Sequence, residues 1–508
     1  MDEDESARKG PDLTQGVAIN GLAGGKLLGH VGDRSVLLVK GESGVFAVDA
    51  ECTHYHGPLQ DGLVTGDSIR CPWHHACFDL RTGEATRAPA LSPLGCWRVD
   101  QRDGMLFVGR ELPASRSTRK AGADEPNNVV IVGGGGAGFA AAEMLRRQNF
   151  SGEITILSRD RDAPVDRPNL SKDYLAGSAP EEWIPLRPEE FYGESAIDLR
   201  LDTDVMSIDS KQRRVVVAGG ETFSYDRLLL ATGAEPVQLP VPGADQPHVH
   251  TLRSLADSRA IIAAVAGVRR AVVVGASFIG LETAAALRAR GIEVHVVAPE
   301  QRPMERILGP QMGAFIQALH EEHGVIFHLG ETVSAIDGRS VILGDRGAID
   351  ADVVIVGIGV KPRLHLAEQA GLALDRGVLV NRYLETSEPG IYAAGDIVRW
   401  PDVRSGDNIR VEHWVVALRQ GQTAARNMLG QKQAFDAVPF FWSQHYDVPI
   451  NYVGHAEHWD RTTIEGRIED RDCLVRYERN GRVLAVASIF RDLSSLQTEL
   501  AFEEERSS

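Results

Sequence analysis

The sequence predicts a multidomain protein in which a small all-β module precedes two α/β Rossmann-like domains and a third, C-terminal α/β module. Three observations support this prediction. Short strand-like runs separated by turns fill residues 16–112. The order strand, glycine-rich turn, helix, strand then occurs twice, starting at Asn128 and again at Arg270. Strand-like runs resume after about residue 433.

Composition limits the classes to which the chain belongs. Its 508 residues suffice for several domains, and 43% hydrophobic with 25% charged residues is typical of a globular protein. The net charge of −17 argues against a nucleic-acid partner. The acidic stretch at residues 1–5 is unlike a signal peptide, and no apolar run reaches the roughly 18 residues of a membrane helix. We therefore expect no membrane association and a cytoplasmic location.

Two short segments of the all-β module carry the most specific motif. Each supplies one thiolate and one imidazole: Cys52 with His54, and Cys71 with His74. A [2Fe–2S] cluster of the Rieske type needs this set, with two Cys on one iron and two His on the other. A structural zinc site is the alternative, but zinc modules usually pair like residues along the chain. The mixed pairs favour the cluster.

The segments also resemble those of Rieske ferredoxins. The extra cysteine pair of the high-potential respiratory members is absent, since Gly57 and Trp73 stand at the matching positions. That resemblance implies the soluble, low-potential type. His56 and His75 lie at the wrong spacing for ligands, and we expect them in loop or packing roles. The remaining cysteines are spread out and are expected to be buried thiols rather than disulfides: Cys77, Cys96 and Cys473.

The first repeat of the strand–turn–helix order carries a complete dinucleotide motif. A buried strand at 129–132 leads into G-x-G-x-x-G at 133–138, and a helix follows at 140–147. The glycines allow a sharp turn and close approach of the backbone to a pyrophosphate at the helix N-terminus. Asp160, just past the second strand, stands where an acid binds the adenosine ribose.

Residues 164–172 resemble the flavin-contacting stretch of oxygenase-coupled NADH–ferredoxin reductases and apoptosis-inducing-factor-like proteins. In that family, which has a glutathione-reductase-like fold, the residues matching Arg167 and Lys172 approach the FAD. Disulfide reductases carry a redox-active Cys pair in this region, and this chain has none. A metal centre is therefore the natural outlet for electrons from the flavin.

Two later segments complete the FAD site of the same family. The turn at Thr232 and Gly233 follows a strand, and Asp396 matches the residue that binds the flavin ribityl chain. Trp414, which matches a residue near the isoalloxazine, opens a helix whose positive end supports negative charge on the flavin. Val237 stands where the family often has Arg, so we expect one phosphate contact to be missing or replaced.

The second repeat, at residues 275–282, resembles the NAD(P)H-binding segment of these reductases, although Ser277 replaces the middle glycine. There, the residue matching Glu282 lies near the nicotinamide and pairs with the residue matching Lys172. The family's ribose-binding acid would fall at Ala298, and Glu300 follows two residues later. We favour NADH, with NADPH possible because Arg302 is near enough to meet a 2′-phosphate.

These patterns give one set of predicted site residues. The predicted catalytic residues are Lys172, Glu282 and Trp414, and the predicted metal ligands are Cys52, His54, Cys71 and His74. The three catalytic residues are also predicted to bind cofactors. The other predicted cofactor-binding residues are Gly133, Gly135, Gly136, Ala137, Gly138, Asp160, Arg167, Val205, Thr232, Gly233, Gly275, Ser277, Phe278, Ile279, Gly280, Glu300, Gly359 and Asp396.

The resemblance covers nearly the whole chain and implies the following domains: a Rieske domain at 16–112, a linker at 113–126, an FAD-binding domain at 127–252 and 377–432, an NAD(P)H-binding domain at 253–376, and a C-terminal reductase and interface domain at 433–508. It implies an oxidoreductase, a monomer or homodimer, that passes electrons from NADH through FAD to its own cluster and then to an oxygenase or ferredoxin-like protein.

Two alternatives stay open. One is an NADH-responsive redox signalling or binding protein, and the weaker one is a fusion whose Rieske module docks to an unrelated reductase.

Overall fold

The computed structural model describes residues 10–114, 119–122, 124–344 and 347–505. Two compact units make up the chain: Met1–Arg119 together with Arg491–Ser508, and Lys120–Phe490. Part of the predicted linker, at 115–118 and 123, and the acidic N-terminal stretch lie outside the described residues. The last helix of the predicted C-terminal domain at 433–508 thus belongs to the same compact unit as the all-β module.

The first unit contains two antiparallel sheets. The strands of the larger sheet are, in spatial order, Val17–Ala18, Met105–Glu111, Cys96–Arg102, Val45–Asp49, Arg34–Lys40 and Lys26–Val31. Those of the smaller sheet are Leu63–Thr65, Ser68–Arg70, Cys77–Asp79 and Ala85–Arg87.

The strand Arg34–Lys40 separates two cores because its side chains alternate between the faces of the sheet. Leu37 and Val39 pack into the core that also contains Cys52 and Cys71. Val36 and Leu38 pack into the opposite core with Trp97 and Leu106. The two cysteines are therefore anchored in the interior of the first unit.

The helices of the described residues are numbered in chain order. They are α1 (Gly136–Arg147), α2 (Asp173–Ala176), α3 (Glu190–Glu194), α4 (Leu255–Ala264), α5 (Phe278–Ala289), α6 (Glu305–Glu322), α7 (His365–Gln369), α8 (Trp414–Met428) and α9 (Asp492–Glu504). In the described part of the chain, none of them has both the length and the apolar character that crossing a membrane requires.

Two parallel five-stranded sheets form the centre of the second unit. The first has the order Ile197–Arg200, Glu153–Leu157, Asn128–Val132, Arg227–Leu230 and Ile391–Ala393. The second has the order Val249–Thr251, Val353–Val356, Arg270–Val274, Glu293–Ala298 and Val325–Leu329. In each sheet a glycine turn joins the central strand to a helix, α1 or α5, as the two sequence repeats predict.

Smaller sheets complete the two halves. Each half carries a three-stranded antiparallel sheet, with strands Val205–Asp209, Arg214–Val217 and Thr222–Ser224 in the first and Val333–Asp337, Ser340–Leu343 and Gly347–Asp350 in the second. Ala234–Pro236 pairs with Val360–Pro362, and a further sheet contains Val378–Leu379, Val398–Pro401 and Asn408–Ile409.

The C-terminal part of the second unit is an antiparallel sheet. Its strands are, in spatial order, Phe440–His445, Val448–Gly454, Arg482–Ile489, Asp472–Arg479 and Arg461–Arg467. Its inner face shares one hydrophobic core with α5 and α6, through residues such as Ile450, Leu281 and Ile316. This packing brings the strand Phe440–His445 against α5, next to the second glycine turn.

Candidate cluster and dinucleotide sites

The two predicted ligand segments fold into similar loops. The Cys52 N–H donates to Gly57 O at 2.9 Å, and the Cys71 N–H donates to Ala76 O at 2.8 Å. In each loop the residue four positions after the cysteine, His56 or His75, has a positive φ and donates its N–H to the cysteine carbonyl. Both histidines therefore close the turns of the ligand loops through their backbone, as expected for residues outside the ligand set.

The four predicted ligands meet as a sulfur pair and a nitrogen pair. The thiols of Cys52 and Cys71 hydrogen-bond to each other, and the Nδ1 atoms of His54 and His74 face each other at 3.2 Å. Burial lowers the pKa of His54 to about 3, which favours the neutral imidazole, the form that ligates metals. This donor set fits a two-iron cluster with the sulfurs on one iron and the nitrogens on the other.

Helix α9 packs against the second ligand loop. His75, adjacent to His74, is fully buried and its Nδ1 lies 2.9 Å from the equally buried Glu499 carboxylate, while Ser495 Oγ lies 3.2 Å from its Nε2. Glu503 of the same helix pairs with Arg70 at 2.7 Å and also with Arg87. The expected packing role of His75 is thus to join the ligand loop to the last helix of the chain.

The dinucleotide motif at 133–138 opens on a cleft of about 1040 Å³ in the second unit. A β-carbon on Gly133 would stand 2.1 Å from Ala231 O, and one on Gly138 would stand 2.0 Å from Gly133 O. Glycine is required at both positions because the turn leaves no space for a side chain. A β-carbon on Gly136, the first residue of α1, would stand 2.6 Å from the Trp414 ring, so Trp414 packs against this end of the helix.

Arginines gather in the cleft without enough acceptors. Burial lowers the pKa of Arg167 to about 10, and the positive charge of Arg253 adds to the effect, with Arg363 also contributing. Among the described residues, the buried Nε atoms of Arg167 and Arg253 find no hydrogen-bond acceptor. All three arginines line the cleft, with Arg167 next to Gly135 and Arg253 next to Gly233. Their positive charges suit an anionic group such as the pyrophosphate of FAD. Sequence reasoning identified Arg167 but missed Arg253 and Arg363, which line the same cleft.

Asp396 and its neighbour Gly395 each form a hydrogen bond with a distant segment. Arg253 Nη2 donates to the Asp396 carboxylate at 2.5 Å. Gln420, on α8, accepts a hydrogen bond from the Gly395 N–H at 2.8 Å. Gln420 was not identified from the sequence because it lies inside an ordinary helix pattern.

Lys172 and Glu282 form a buried ion pair. Their Nζ and Oε2 atoms are 2.8 Å apart, and both side chains line the cleft. Ser171 and Ser443 donate to the two oxygens of Glu282, each at 2.6 Å. The carboxylate is thus fully hydrogen-bonded, which compensates for the cost of burying it.

Ser277 has a specific role in the second glycine turn. It caps α5 by accepting the Gly280 N–H at 3.2 Å, and its hydroxyl donates to Gly357 O at 2.6 Å. Gly275 has a φ of 107°, and a β-carbon there would stand 2.5 Å from Gly357 O. The replacement of the middle glycine therefore preserves the turn and joins it to the strand Val353–Val356.

The predicted cofactor-binding residues divide into two groups. Those that line the cleft are Gly133, Gly135, Gly136, Ala137, Asp160, Arg167, Lys172, Val205, Thr232, Gly233, Phe278, Ile279, Glu282, Asp396 and Trp414. Those that do not are Gly138, Gly275, Ser277, Gly280, Glu300 and Gly359. Gly138, Gly275, Ser277 and Gly280 lie in or just after the two glycine turns. Gly359 precedes the strand Val360–Pro362, and Glu300 follows the strand Glu293–Ala298.

Comparison with known proteins assigns three regions. Residues 127–421 match the pyridine nucleotide-disulphide oxidoreductase family. Residues 19–98 match the Rieske [2Fe–2S] domain, and residues 440–505 match the reductase C-terminal domain.

Individual relatives agree with these matches. Apoptosis-inducing factor 3 of Homo sapiens is 34% identical over 482 residues, which span 91% of this chain and 79% of that protein. Rhodocoxin reductase of Rhodococcus erythropolis is 36% identical over 357 residues, which span 69% of this chain and 84% of that protein. The crystal structure of the covalent putidaredoxin reductase–putidaredoxin complex has a TM-score of 0.72 and 34% identity, covering 74% of this chain and 93% of that chain.

Proposed function

Because the chain belongs to the pyridine nucleotide-disulphide oxidoreductase family, with FAD, NADH and a Rieske [2Fe–2S] cluster as its cofactors, we propose that it passes electrons from NADH to its own cluster and then to a redox protein of an oxygenase system. Bound FAD would accept hydride from NADH and release electrons singly, and the cluster takes one electron at a time. The cluster that receives electrons from the flavin is thus part of the same polypeptide.

The observation that carries this proposal is the distribution of the cysteines. All five are buried, none forms a disulfide, and none lines the cleft. Two lie in the ligand loops instead. Electrons that reach the cleft thus have no dithiol to reduce there, and the cluster site is the outlet that the chain supplies. The covalent connection raises the effective concentration of one site for the other.

The side chains of the cleft have distinct proposed roles. Arg167, Arg253 and the glycine turn would hold the pyrophosphate, and Asp396 would orient the ribityl chain. Lys172 would supply a positive charge to the flavin, and Glu282 holds that lysine in position at 2.8 Å. Trp414 packs against the N-terminus of α1, where it would exclude water from the flavin.

Anaerobic titration with NADH, followed by electron paramagnetic resonance and flavin absorbance, tests the proposal. We expect a rhombic signal with the low average g value of a His-ligated cluster to appear only after NADH is added. The Cys71→Ser variant is the matched control, because it should bleach the flavin without any such signal. A wild-type cluster that stays oxidised over many turnovers while the flavin is bleached would falsify internal transfer.

A second candidate function follows from one relative. The match with Apoptosis-inducing factor 3 is long enough to include both units, at 91% of the chain. We therefore also propose, as the alternative, an NADH-responsive binding protein in which turnover is incidental. Slow reoxidation of the NADH-treated protein with a persistent charge-transfer band supports this alternative, whereas rapid reduction of cytochrome c or of a ferredoxin supports the reductase.

A further inference from the structure

The proposed reaction leaves one proton to be removed. NADH oxidation by two one-electron acceptors is NADH + 2 A(ox) → NAD⁺ + 2 A(red) + H⁺, where each acceptor gains one electron. One proton per NADH must therefore leave a cleft whose central charges, Lys172 and Glu282, are largely buried. The following inference depends on the proposed function, since that reaction creates the proton.

A continuous series of hydrogen-bonding side chains leads away from Glu282. Ser443 Oγ lies 2.6 Å from Glu282 Oε1 and 3.2 Å from His445 Nε2. His445 Nδ1 lies 3.1 Å from His320 Nε2, and His320 Nδ1 lies 3.3 Å from the Tyr446 hydroxyl.

Three elements bring these side chains together. Ser443 and His445 are two positions apart on the strand Phe440–His445, so they share one face of the sheet. Glu282 comes from α5 and His320 from α6.

One assignment of tautomers satisfies every bond in this series. The Tyr446 hydroxyl donates to His320 Nδ1, and the His320 Nε2–H donates to His445 Nδ1. The His445 Nε2–H donates to Ser443, whose hydroxyl donates to Glu282. This is the state after release. Before release, with the proton on Glu282, every bond runs the other way: Glu282 donates to Ser443, Ser443 to His445 Nε2, the His445 Nδ1–H to His320 Nε2, and the His320 Nδ1–H to the Tyr446 hydroxyl, whose own proton faces solvent. Moving each proton one position outward releases one proton from Tyr446 and leaves the assignment given above. No atom has to move farther than a hydrogen position.

Burial excludes water from the middle of this series and keeps its two histidines neutral. Ser443 is 1% exposed, and His445 and His320 are 0% exposed. Burial lowers the pKa of His445 to about 3, assisted by the charge of Lys172, and it also lowers the pKa of His320 well below its usual value. A neutral imidazole offers both a donor and an acceptor, as a relay needs.

The far end of the series reaches the solvent. Tyr446 and His323 are half-buried and their rings stack at a centroid distance of 3.6 Å. Exposed residues Asp447 and Glu322 are their neighbours along the chain. We propose that Ser443, His445, His320 and Tyr446 form a proton relay between Glu282 and solvent.

The test measures proton release in a single turnover of the full-length, cofactor-loaded protein. Anaerobic protein is mixed with NADH and ferricyanide in weak buffer with a pH-indicator dye. Flavin absorbance is recorded in parallel. The informative variants are His445→Gln and His320→Gln, because an amide retains a donor and an acceptor but does not exchange protons between them as imidazole does. The control is His295→Gln, which changes a hydrogen-bonded histidine pair, His295 with His328 at 2.9 Å, elsewhere in the same unit.

We expect the two relay variants to release the proton about tenfold more slowly, or slower still, with a larger solvent deuterium isotope effect. Their rate of flavin bleaching by NADH, NAD⁺ affinity and melting temperature should match those of the control. In a His445→Ala variant, added imidazole should restore the release rate.

Release at the wild-type rate in both Gln variants would overturn the relay. So would an equal slowing of flavin bleaching and proton release, since that pattern indicates a purely structural role. If NADH fails to bleach the flavin in the wild-type protein, the proposed function itself fails, and the two failures are thereby distinguished.

Discussion

Gly57 of the first ligand loop lies against Cys71 of the second. A β-carbon at residue 57 would stand 2.8 Å from Cys71 Sγ and 3.2 Å from the Trp73 ring. Residue 57 must be glycine because a side chain has no space there, and not because of its backbone φ, which other residues can also adopt.

We therefore expect Gly57→Ala to lose at least half of its iron, because the new methyl group displaces Cys71 from the sulfur pair. Iron analysis and the resonance signal of the reduced cluster measure this loss. Gly21→Ala, in the same domain with no atom within 4 Å of the new carbon, is the control and should keep its iron. Full iron content in Gly57→Ala would contradict the prediction, because it would show that the loop accommodates the methyl group without displacing Cys71.

Helix α9 should stabilise the cluster domain through Glu499. In Glu499→Leu, buried His75 and Arg70 lose their shared carboxylate, and breaking such a buried pair costs about 3–5 kcal/mol. Thermal loss of cluster absorbance should occur at a clearly lower temperature than in the wild type. Glu504→Gln, on the exposed side of the same helix, should melt like the wild type. Equal melting of both variants would exclude α9 as a stabilising element.

Arg167→Gln should weaken FAD binding. Removing one charged donor from the anion site costs about 1.5–3 kcal/mol, which corresponds to a 10- to 150-fold rise in the dissociation constant. Flavin fluorescence during reconstitution of flavin-free protein measures the constant. Arg161→Gln, an exposed arginine nearby, should leave it unchanged. An unchanged constant in both variants would mean that Arg253 and Arg363 suffice.

Acidification should destabilise the second unit through His445. Its pKa is about 3 in the folded protein against 6.5 normally, so the unfolded state binds more protons below pH 6.5. This contribution is fully present above pH 6.5 and is lost progressively as the pH falls towards 3. The unfolding free energy should decrease by about 1.4 kcal/mol per pH unit for this histidine, and by less in His445→Gln. Urea unfolding between pH 7 and 4.5 measures both slopes, and identical slopes would contradict the prediction.

Glu300 should select the coenzyme. A carboxylate after the second strand binds ribose hydroxyls and repels a 2′-phosphate. Glu300→Ala should lower kcat/KM for NADH about tenfold and raise the relative use of NADPH. Steady-state kinetics with both coenzymes decide the point, and Glu321→Ala, exposed on α6, serves as the control. An unchanged preference would leave another residue responsible.

The comparisons confirm several predictions made from the sequence. The family, the multidomain fold class, the FAD, NADH and [2Fe–2S] cofactors, and the oxidoreductase class all agree with the matched regions. These features were predictable because they depend on local patterns. A glycine turn needs its strand and helix in order, and a ligand pair such as Cys71 with His74 lies within one loop. The domain boundaries and the site residues stay predictions.

What the sequence by itself determined is therefore the set of modules and the chemistry of each loop, since short-range sterics and ligand spacing act within a few residues. Only the tertiary structure decided which distant side chains share a site. Arg253 acts electrostatically on Arg167 although the two are 86 positions apart in the chain. Glu499 of the last helix hydrogen-bonds to His75, and His320 of α6 hydrogen-bonds to His445 of a strand. Such contacts leave no local pattern, because burial and hydrogen bonding select the partners only after the sheets and helices pack.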